Sequence, residues 1–125
     1  MKYVIAGSGA VGGSIGAFLA KAGKDVIFLA RSAHLKALQE KGITMKHTAK
    51  GDFTLHPVKA MRMEEYQDTP DVIFVCVKGY SLHEAAELIR RTAVSETIVI
   101  PVLNIFGTGE RLQREFPELT VTDGC

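Results

Sequence analysis

The sequence begins with a short apolar segment that runs directly into a glycine-rich turn, and this arrangement constrains the fold more than any other feature. Residues 2–6 predict a strand, and a helical pattern covers residues 15–22. Between them lie Gly7, Gly9 and Gly12 in a GxGxxG pattern. A strand, this turn and a helix in this order are typical of a site for the pyrophosphate of a dinucleotide.

Each glycine of the turn has a predicted task. Gly7 allows the tight turn, Gly9 lets the backbone approach the pyrophosphate, and Gly12 lets the helix pack closely on the strand. The free N–H groups and the positive dipole end of the helix attract phosphate charge. The predicted cofactor contacts in this segment are Gly7, Ser8, Gly9, Ala10, Val11 and Gly12.

The residues after the second predicted strand indicate which dinucleotide binds. This strand covers residues 25–30, and a carboxylate at its end would accept hydrogen bonds from the ribose 2′-OH of NAD. The sequence instead has Arg31 followed by Ser32, a cation and a hydroxyl that suit a 2′-phosphate. NADP, bound as NADPH, is therefore favoured over NAD. The alternatives are a solvated surface arginine for Arg31 and a helix N-cap for Ser32.

The remaining pattern alternates strands with helices, which predicts an α/β fold: a Rossmann-type, doubly wound, mostly parallel sheet with helices on both faces. Pro101 cannot donate to a ladder, so its strand is expected to bulge or to lie near the sheet edge. Ser81 and Glu84 predict a capping box. The predicted strands lie at 43–47 and 53–58 (a hairpin or two short strands), 72–77, 97–103 and 119–122. The predicted helices lie at 32–41, 82–92 and 110–115, with a short helix or turn at 61–68.

Composition excludes several other classes of protein. The 125 residues predict one domain, and a net charge of +1 from 15 basic and 14 acidic residues favours neither nucleic acid nor a membrane surface as partner. No apolar run approaches the ~20 residues of a membrane span, and a strand beginning at residue 2 leaves no room for a targeting peptide, so a cytoplasmic location is expected.

Cys76 and Cys125 form no disulfide framework, and Cys76 is expected to be a buried filler. The histidines lack metal-ligand spacing, so no metal is expected.

Two polar residues follow buried strands and are candidates for contact with the ligand. Ligands of such sheets bind beyond the carboxyl ends of the strands. Lys78 follows one apolar run, and its ammonium could hold a ribose or phosphate or polarise a carbonyl. Asn104 follows the next run and offers both a donor and an acceptor. The alternatives are a solvated lysine at position 78 and a turn-forming asparagine at position 104.

Four motifs, taken in order, resemble the N-terminal domain of ketopantoate reductases (2-dehydropantoate 2-reductases). The resemblance covers nearly the whole chain and is more specific than the glycines alone. The matching segments are residues 7–13 (GSGAVGG), 29–31 (LAR), 75–78 (VCVK) and 103–112 (LNIFGTGERL).

The resemblance implies an NADPH-dependent reduction of ketopantoate to pantoate, a step in pantothenate biosynthesis. Carried over to this sequence, residues 7–12 would bind the pyrophosphate and Arg31 the 2′-phosphate. Lys78 would line the cofactor crevice near the nicotinamide ribose. Asn104 would contact both cofactor and substrate and steady the hydroxyl formed from the carbonyl. Lys78 and Asn104 are therefore the candidate catalytic residues.

The resemblance also implies a helical C-terminal domain that carries a general-acid lysine and most contacts with the 2-keto acid substrate. This domain is expected to be absent from the 125 residues, so that the chain is either a fragment of a longer enzyme or a gene product reduced to its cofactor domain. We therefore expect residues 1–125 to form an NADP-binding domain with little or no turnover alone, and to self-associate through the face that the helical domain would cover. Two alternatives stay open: a non-catalytic NADP(H)-sensing module, or a domain of a related opine or glycerol-3-phosphate dehydrogenase.

Overall fold

The computed structural model describes residues 1–7, 10–46, 49, 51–77, 82–102 and 108–122, with backbone only at positions 10, 108 and 109. The described helices are α1 (Ala10–Lys21), α2 (Ser32–Lys41), α3 (Leu82–Thr92) and α4 (Thr108–Glu115). A single 3-10 turn covers Met63–Glu65. The described strands are β1 (Lys2–Ala6), β2 (Asp25–Leu29), β3 (Ile43–Met45), β4 (Phe53–Leu55), β5 (Lys59–Met61), β6 (Val72–Val75), β7 (Ile98–Pro101) and β8 (Thr120–Val121).

Six of these strands form one parallel sheet in the order β5-β2-β1-β6-β7-β8. The first strand therefore lies in the middle, and the chain order reverses direction on either side of it. The other two strands, β3 and β4, form the predicted antiparallel hairpin. This topology confirms the predicted Rossmann-type α/β fold.

The sheet is covered on both faces, which explains why its central strands are apolar without alternation. On one face, Ile5 and Phe28 pack with residues of α1 and α2. On the other face, Val4 and Ile73 pack with residues of α3 and α4. Successive residues of β1 thus contribute to two separate clusters. This arrangement confirms the doubly wound architecture.

Two sequence predictions differ from the structure, one in the segment around residue 60 and one at the start of the first helix. The predicted helix or turn at 61–68 is wrong in part, because Lys59–Met61 is the edge strand β5, parallel to β2, and only Met63–Glu65 is helical. The pairing with β2 decides this, since the Ala30 N–H donates to the Met61 carbonyl (3.1 Å). The first helix also begins earlier than predicted, at Ala10.

Pro101 lies where a proline is tolerated in a sheet. It is the last residue of β7, and the edge strand β8 beside it pairs only with Ile98 and Val99. The expectation that this strand lies near the sheet edge is confirmed, because only β8 lies beyond it. Within the part of the chain that the structure describes, no helix is both long and apolar enough to cross a membrane.

Candidate functional site

The candidate site lies at the carboxyl edge of the sheet. Because β1, β2 and β6 are parallel neighbours, the segments that follow them leave the sheet on the same side. Gly7 follows β1, Arg31 comes two residues after β2, and Val77 comes two residues after β6. This edge is where an open α/β sheet binds ligands, at the point where the strand order reverses.

Gly7 makes the turn that starts the site. Its φ of +86° belongs to the left-handed region, and its N–H donates to the Leu29 carbonyl at 3.0 Å. A Cβ at Gly7 would lie 2.7 Å from Cγ1 and 3.0 Å from the backbone nitrogen of Val77. Both the backbone conformation and the lack of space therefore require glycine. The predicted turn role of Gly7 is confirmed.

Gly12 brings α1 against the sheet. A Cβ there would lie 2.6 Å from the Gly7 carbonyl oxygen and 3.1 Å from Cβ of Cys76. The predicted packing role of Gly12 is therefore confirmed. One turn later, a Cβ at Gly16 would lie 2.3 Å from Cε1 of the buried Phe28. Sequence reasoning missed Gly16, although its GxxxG spacing from Gly12 is visible in the sequence.

The N-terminus of α1 points out of this turn and suits an anion. The helix has twelve residues from Ala10, and its first turn holds no acidic residue. Val11 is 57% exposed, so its surroundings leave room for a ligand. Free N–H groups and the helix dipole favour negative charge at such a position. The start of α1 therefore leaves room for a phosphate, and the binding of one at this segment stays a prediction.

Several predicted site residues lie outside the described residues. These are Ser8 and Gly9 of the glycine turn and the two candidate catalytic residues, Lys78 and Asn104. Ser81 of the predicted capping box is outside them too. Their roles stay predictions.

Arg31 and Ser32 join β2 to α2 in a way that differs from one expectation. Arg31 has an extended backbone (φ −147°, ψ 164°) and occupies the N-cap position, and no side chain caps the helix. Ser32 is the first helical residue and has a φ of +58°. The alternative of Ser32 as the N-cap is therefore wrong, because the chain is still extended at Arg31 and turns at Ser32. A left-handed serine costs about 1–3 kcal/mol, a strain often found beside binding sites.

The Arg31 side chain forms an ion pair across the site. It is 60% exposed, and its Nη1 donates to Oε1 of Glu84 at 2.9 Å. Glu84 belongs to the first turn of α3. Nothing in the sequence indicates this contact, because the two residues are 53 positions apart.

A second arginine follows the neighbouring strand. Arg62 comes directly after β5, whose last residue, Met61, accepts the hydrogen bond from Ala30. Its Nε lies 3.4 Å from Oε1 of Glu65, and its backbone N–H donates to that same oxygen at 2.9 Å. These two hydrogen bonds from Arg62 hold the pKa of Glu65 below its usual value. Two arginines, each paired with a carboxylate, therefore follow adjacent strands at this edge.

Cys76 lies just after β6, against the start of α1, and it is partly buried where a fully buried strand residue was expected. Its N–H donates to the Ala6 carbonyl at 2.8 Å, and its Cβ faces Gly12. Burial raises the pKa of its thiol to about 12, because the thiolate would lose its hydration. A thiol of this kind is not a nucleophile at neutral pH.

A separate groove lies at the opposite edge of the sheet, where β2 and β5 begin. This β2–β5 groove has a volume of about 420 Å³ and is lined by Lys24, Asp25, His56, Lys59 and the neighbouring apolar residues. Lys59 Nζ donates to Oδ1 of Asp25 at 2.7 Å, and this bond lowers the pKa of the Asp25 carboxyl. No group of three or more His, Cys, Asp or Glu residues that could hold a metal exists among the described residues.

Comparisons with known proteins agree on one family. The family model "Ketopantoate reductase PanE/ApbA" matches residues 3–125. A 2-dehydropantoate 2-reductase from Nostoc is 34% identical over 123 residues, which are 98% of this chain and 38% of that protein.

Solved structures show the same similarity. A PanE/ApbA family ketopantoate reductase from Ralstonia eutropha superposes with a TM-score of 0.84 at 30% identity, over 97% of this chain and 40% of that one. A D-mandelate dehydrogenase solved with NADH and anilino(oxo)acetate gives a TM-score of 0.80 at 26% identity, over 93% of this chain and 37% of that one. The chain thus spans about 40% of the length of the relatives it matches.

Replacing Gly7 by alanine tests the turn. The change Gly7→Ala adds both left-handed strain and the contact with Val77, so we expect a loss of about 2–4 kcal/mol in the free energy of unfolding, measured by urea denaturation. Gly23→Ala is the matched control, because Gly23 has a φ of +84° but nothing within 4 Å of its Cβ position. The control should lose only about 1 kcal/mol. Equal losses would contradict the close approach at Gly7.

The protected thiol predicts slow alkylation. In a Cys125→Ser variant, which leaves Cys76 as the sole cysteine, iodoacetamide at pH 8 should react on the order of a thousandfold more slowly than with glutathione. The rate should rise about tenfold per pH unit, because thiolate is the reacting species and the thiol pKa lies near 12. The unfolded chain in urea should react at the ordinary rate. Fast alkylation of the folded chain would show that Cys76 is exposed or activated.

Proposed function

The chain belongs to the ketopantoate reductase family, and from this membership we propose that it binds NADPH at the carboxyl edge of its sheet. The observation that carries the proposal is the turn after β1, where Gly7 and Gly12 leave no space for side chains at the start of α1. The helix N-terminus there would receive the pyrophosphate, with Ser8, Gly9, Ala10 and Val11 contributing to the contact.

Arg31 is the proposed ligand of the 2′-phosphate. It stands at the end of β2, where the residue that meets the adenosine ribose is found in such folds. A guanidinium binds phosphate through two parallel hydrogen bonds. Ser32 follows it, and its hydroxyl is the second proposed contact. A phosphate at Arg31 would compete with Glu84 for the guanidinium.

The reaction that we propose for the whole protein is reduction of ketopantoate to pantoate. NADPH supplies a hydride to the carbonyl carbon, and a proton from an acidic group completes the hydroxyl. Lys78 would hold the nicotinamide ribose, and Asn104 would steady the hydroxyl as it forms. These 125 residues would bind the cofactor for that reaction and would have little or no turnover of their own. We further expect the protein to act in the cytoplasm and the chain to self-associate.

A second candidate is reduction of another 2-keto acid with NADH. The observation in its favour is the similarity to a D-mandelate dehydrogenase whose structure contains NADH. Arg31 argues against NADH here, because a carboxylate at the end of β2 is the usual partner of the ribose 2′-OH. The two candidates predict opposite cofactor preferences.

Calorimetric titration with NADPH and NADH tests the proposal. The chain should bind NADPH at least about tenfold more tightly than NADH. Arg31→Ala should weaken NADPH binding by about tenfold to a hundredfold, because a charge-assisted contact with the phosphate is lost, and should leave NADH binding nearly unchanged.

Arg90→Ala provides the matched control. Arg90 is a half-exposed arginine on α3 that pairs with Glu87 and Glu115, more than a helical turn beyond Glu84. This variant removes the same charge and should leave both affinities unchanged. Tighter binding of NADH than of NADPH by the unsubstituted chain would contradict the proposal and favour the second candidate. Binding of neither would contradict both.

A further inference from the structure

The ion pair between Arg31 and Glu84 links the two sides of the candidate site. Arg31 follows β2 and Glu84 lies on α3, the helix after β6. These two strands flank β1 on opposite sides. The contact therefore spans the carboxyl end of β1, the strand from which the glycine turn starts.

Glu84 lies at a helix end that favours negative charge. It lies in the first turn of α3, where the helix dipole favours an anion. Its side chain is 46% exposed, so the carboxylate remains hydrated. A phosphate that reaches Arg31 would therefore meet a charged carboxylate already occupying one edge of the guanidinium.

This arrangement imposes a cost on one cofactor only. A 2′-phosphate bound at Arg31 would compete with the carboxylate for the guanidinium and would lie within a few ångströms of the same negative charge, which repels it. A 2′-hydroxyl carries no charge, so NADH can bind with the ion pair intact. A carboxylate at this position would thus weaken the binding of the phosphorylated cofactor selectively.

We infer that Glu84 is a specificity-determining residue that competes with the 2′-phosphate for Arg31 and thereby limits the preference for NADPH over NADH. The inference rests on the proposed binding of NADPH at Arg31. It adds an acidic residue, distant in sequence, to the side chains that set the cofactor preference. The carboxylate holds the guanidinium while no phosphate is present and gives it up when NADPH binds.

Titration of a Glu84→Gln variant with NADPH and NADH tests this role. Glutamine keeps the size and the hydrogen-bonding oxygen but removes the charge. The variant should bind NADPH about threefold to tenfold more tightly than the unsubstituted chain, with NADH binding unchanged. In an Arg31→Ala background the same substitution should have a smaller effect, because the competition for the guanidinium is gone.

Glu87→Gln is the matched control, since it removes the same charge from α3 one turn further along, where Glu87 pairs with Arg90. The control should leave NADPH binding unchanged. If both variants bound NADPH equally more tightly, the effect would come from the net charge of the chain and not from the contact with Arg31, and the inference would be overturned. Unchanged or weaker NADPH binding by Glu84→Gln would also overturn the inference. A loss of NADH binding by this variant would overturn it as well, because Glu84 would then be a ligand of the ribose.

The proposed function and this inference fail in different ways. Failure of the unsubstituted chain to bind NADPH overturns the proposed function, and the inference with it. Normal NADPH binding that depends on Arg31 but does not tighten in Glu84→Gln overturns the inference alone. A thermal melt of each variant without cofactor should show no large change, because exposed ion pairs contribute little to stability.

Discussion

The rest of the structure depends on one constraint: the turn after β1, the start of α1 and the end of β6 lie in close contact. At Gly7 the backbone turns with a positive φ directly against Val77, and Gly12 then lies against the carbonyl oxygen of Gly7. Side chains at either position would push α1 away from the sheet. Because they are absent, the helix begins immediately beyond β1 and its N-terminus opens toward the segments that follow β2 and β6.

The charges around this edge are balanced by pairs that are weak enough to exchange. Arg31 is paired with Glu84, and Arg62 with Glu65, in contacts that are about half exposed. Such exposed pairs contribute little to stability. A phosphate forms stronger, charge-assisted hydrogen bonds with a guanidinium. Without a ligand, each arginine at the carboxyl edge of the sheet is neutralised by a carboxylate, yet Arg31 can still exchange its carboxylate for a phosphate. Glu84, the partner of Arg31, then sets how strongly a phosphorylated cofactor is preferred.

The sequence predicted those features that depend on neighbouring residues. The apolar runs of β1 and β6 were sufficient to predict the parallel sheet. The glycine spacing at the start of α1 was sufficient to predict the packing of Gly7 and Gly12. Strand β5 was not predicted because Lys59–Met61 has only three residues, the first of them an exposed lysine, and only its pairing with β2 makes it a strand. The N-cap at Arg31 depends on where the chain leaves the sheet. The contact between Arg31 and Glu84 joins residues 53 positions apart, which a single sequence cannot indicate.

The most direct test of NADPH binding at the carboxyl edge is an NMR titration of the 15N-labelled chain with NADPH. Binding at this edge predicts that the largest changes in amide chemical shift follow the glycine turn and the end of β2, at Gly7, Val11, Gly12 and Arg31. The β2–β5 groove, at the other edge, should show little change at Lys24, His56 and Lys59. If the largest chemical-shift changes appeared in that groove while the glycine turn was unperturbed, binding of NADPH at the carboxyl edge would be contradicted.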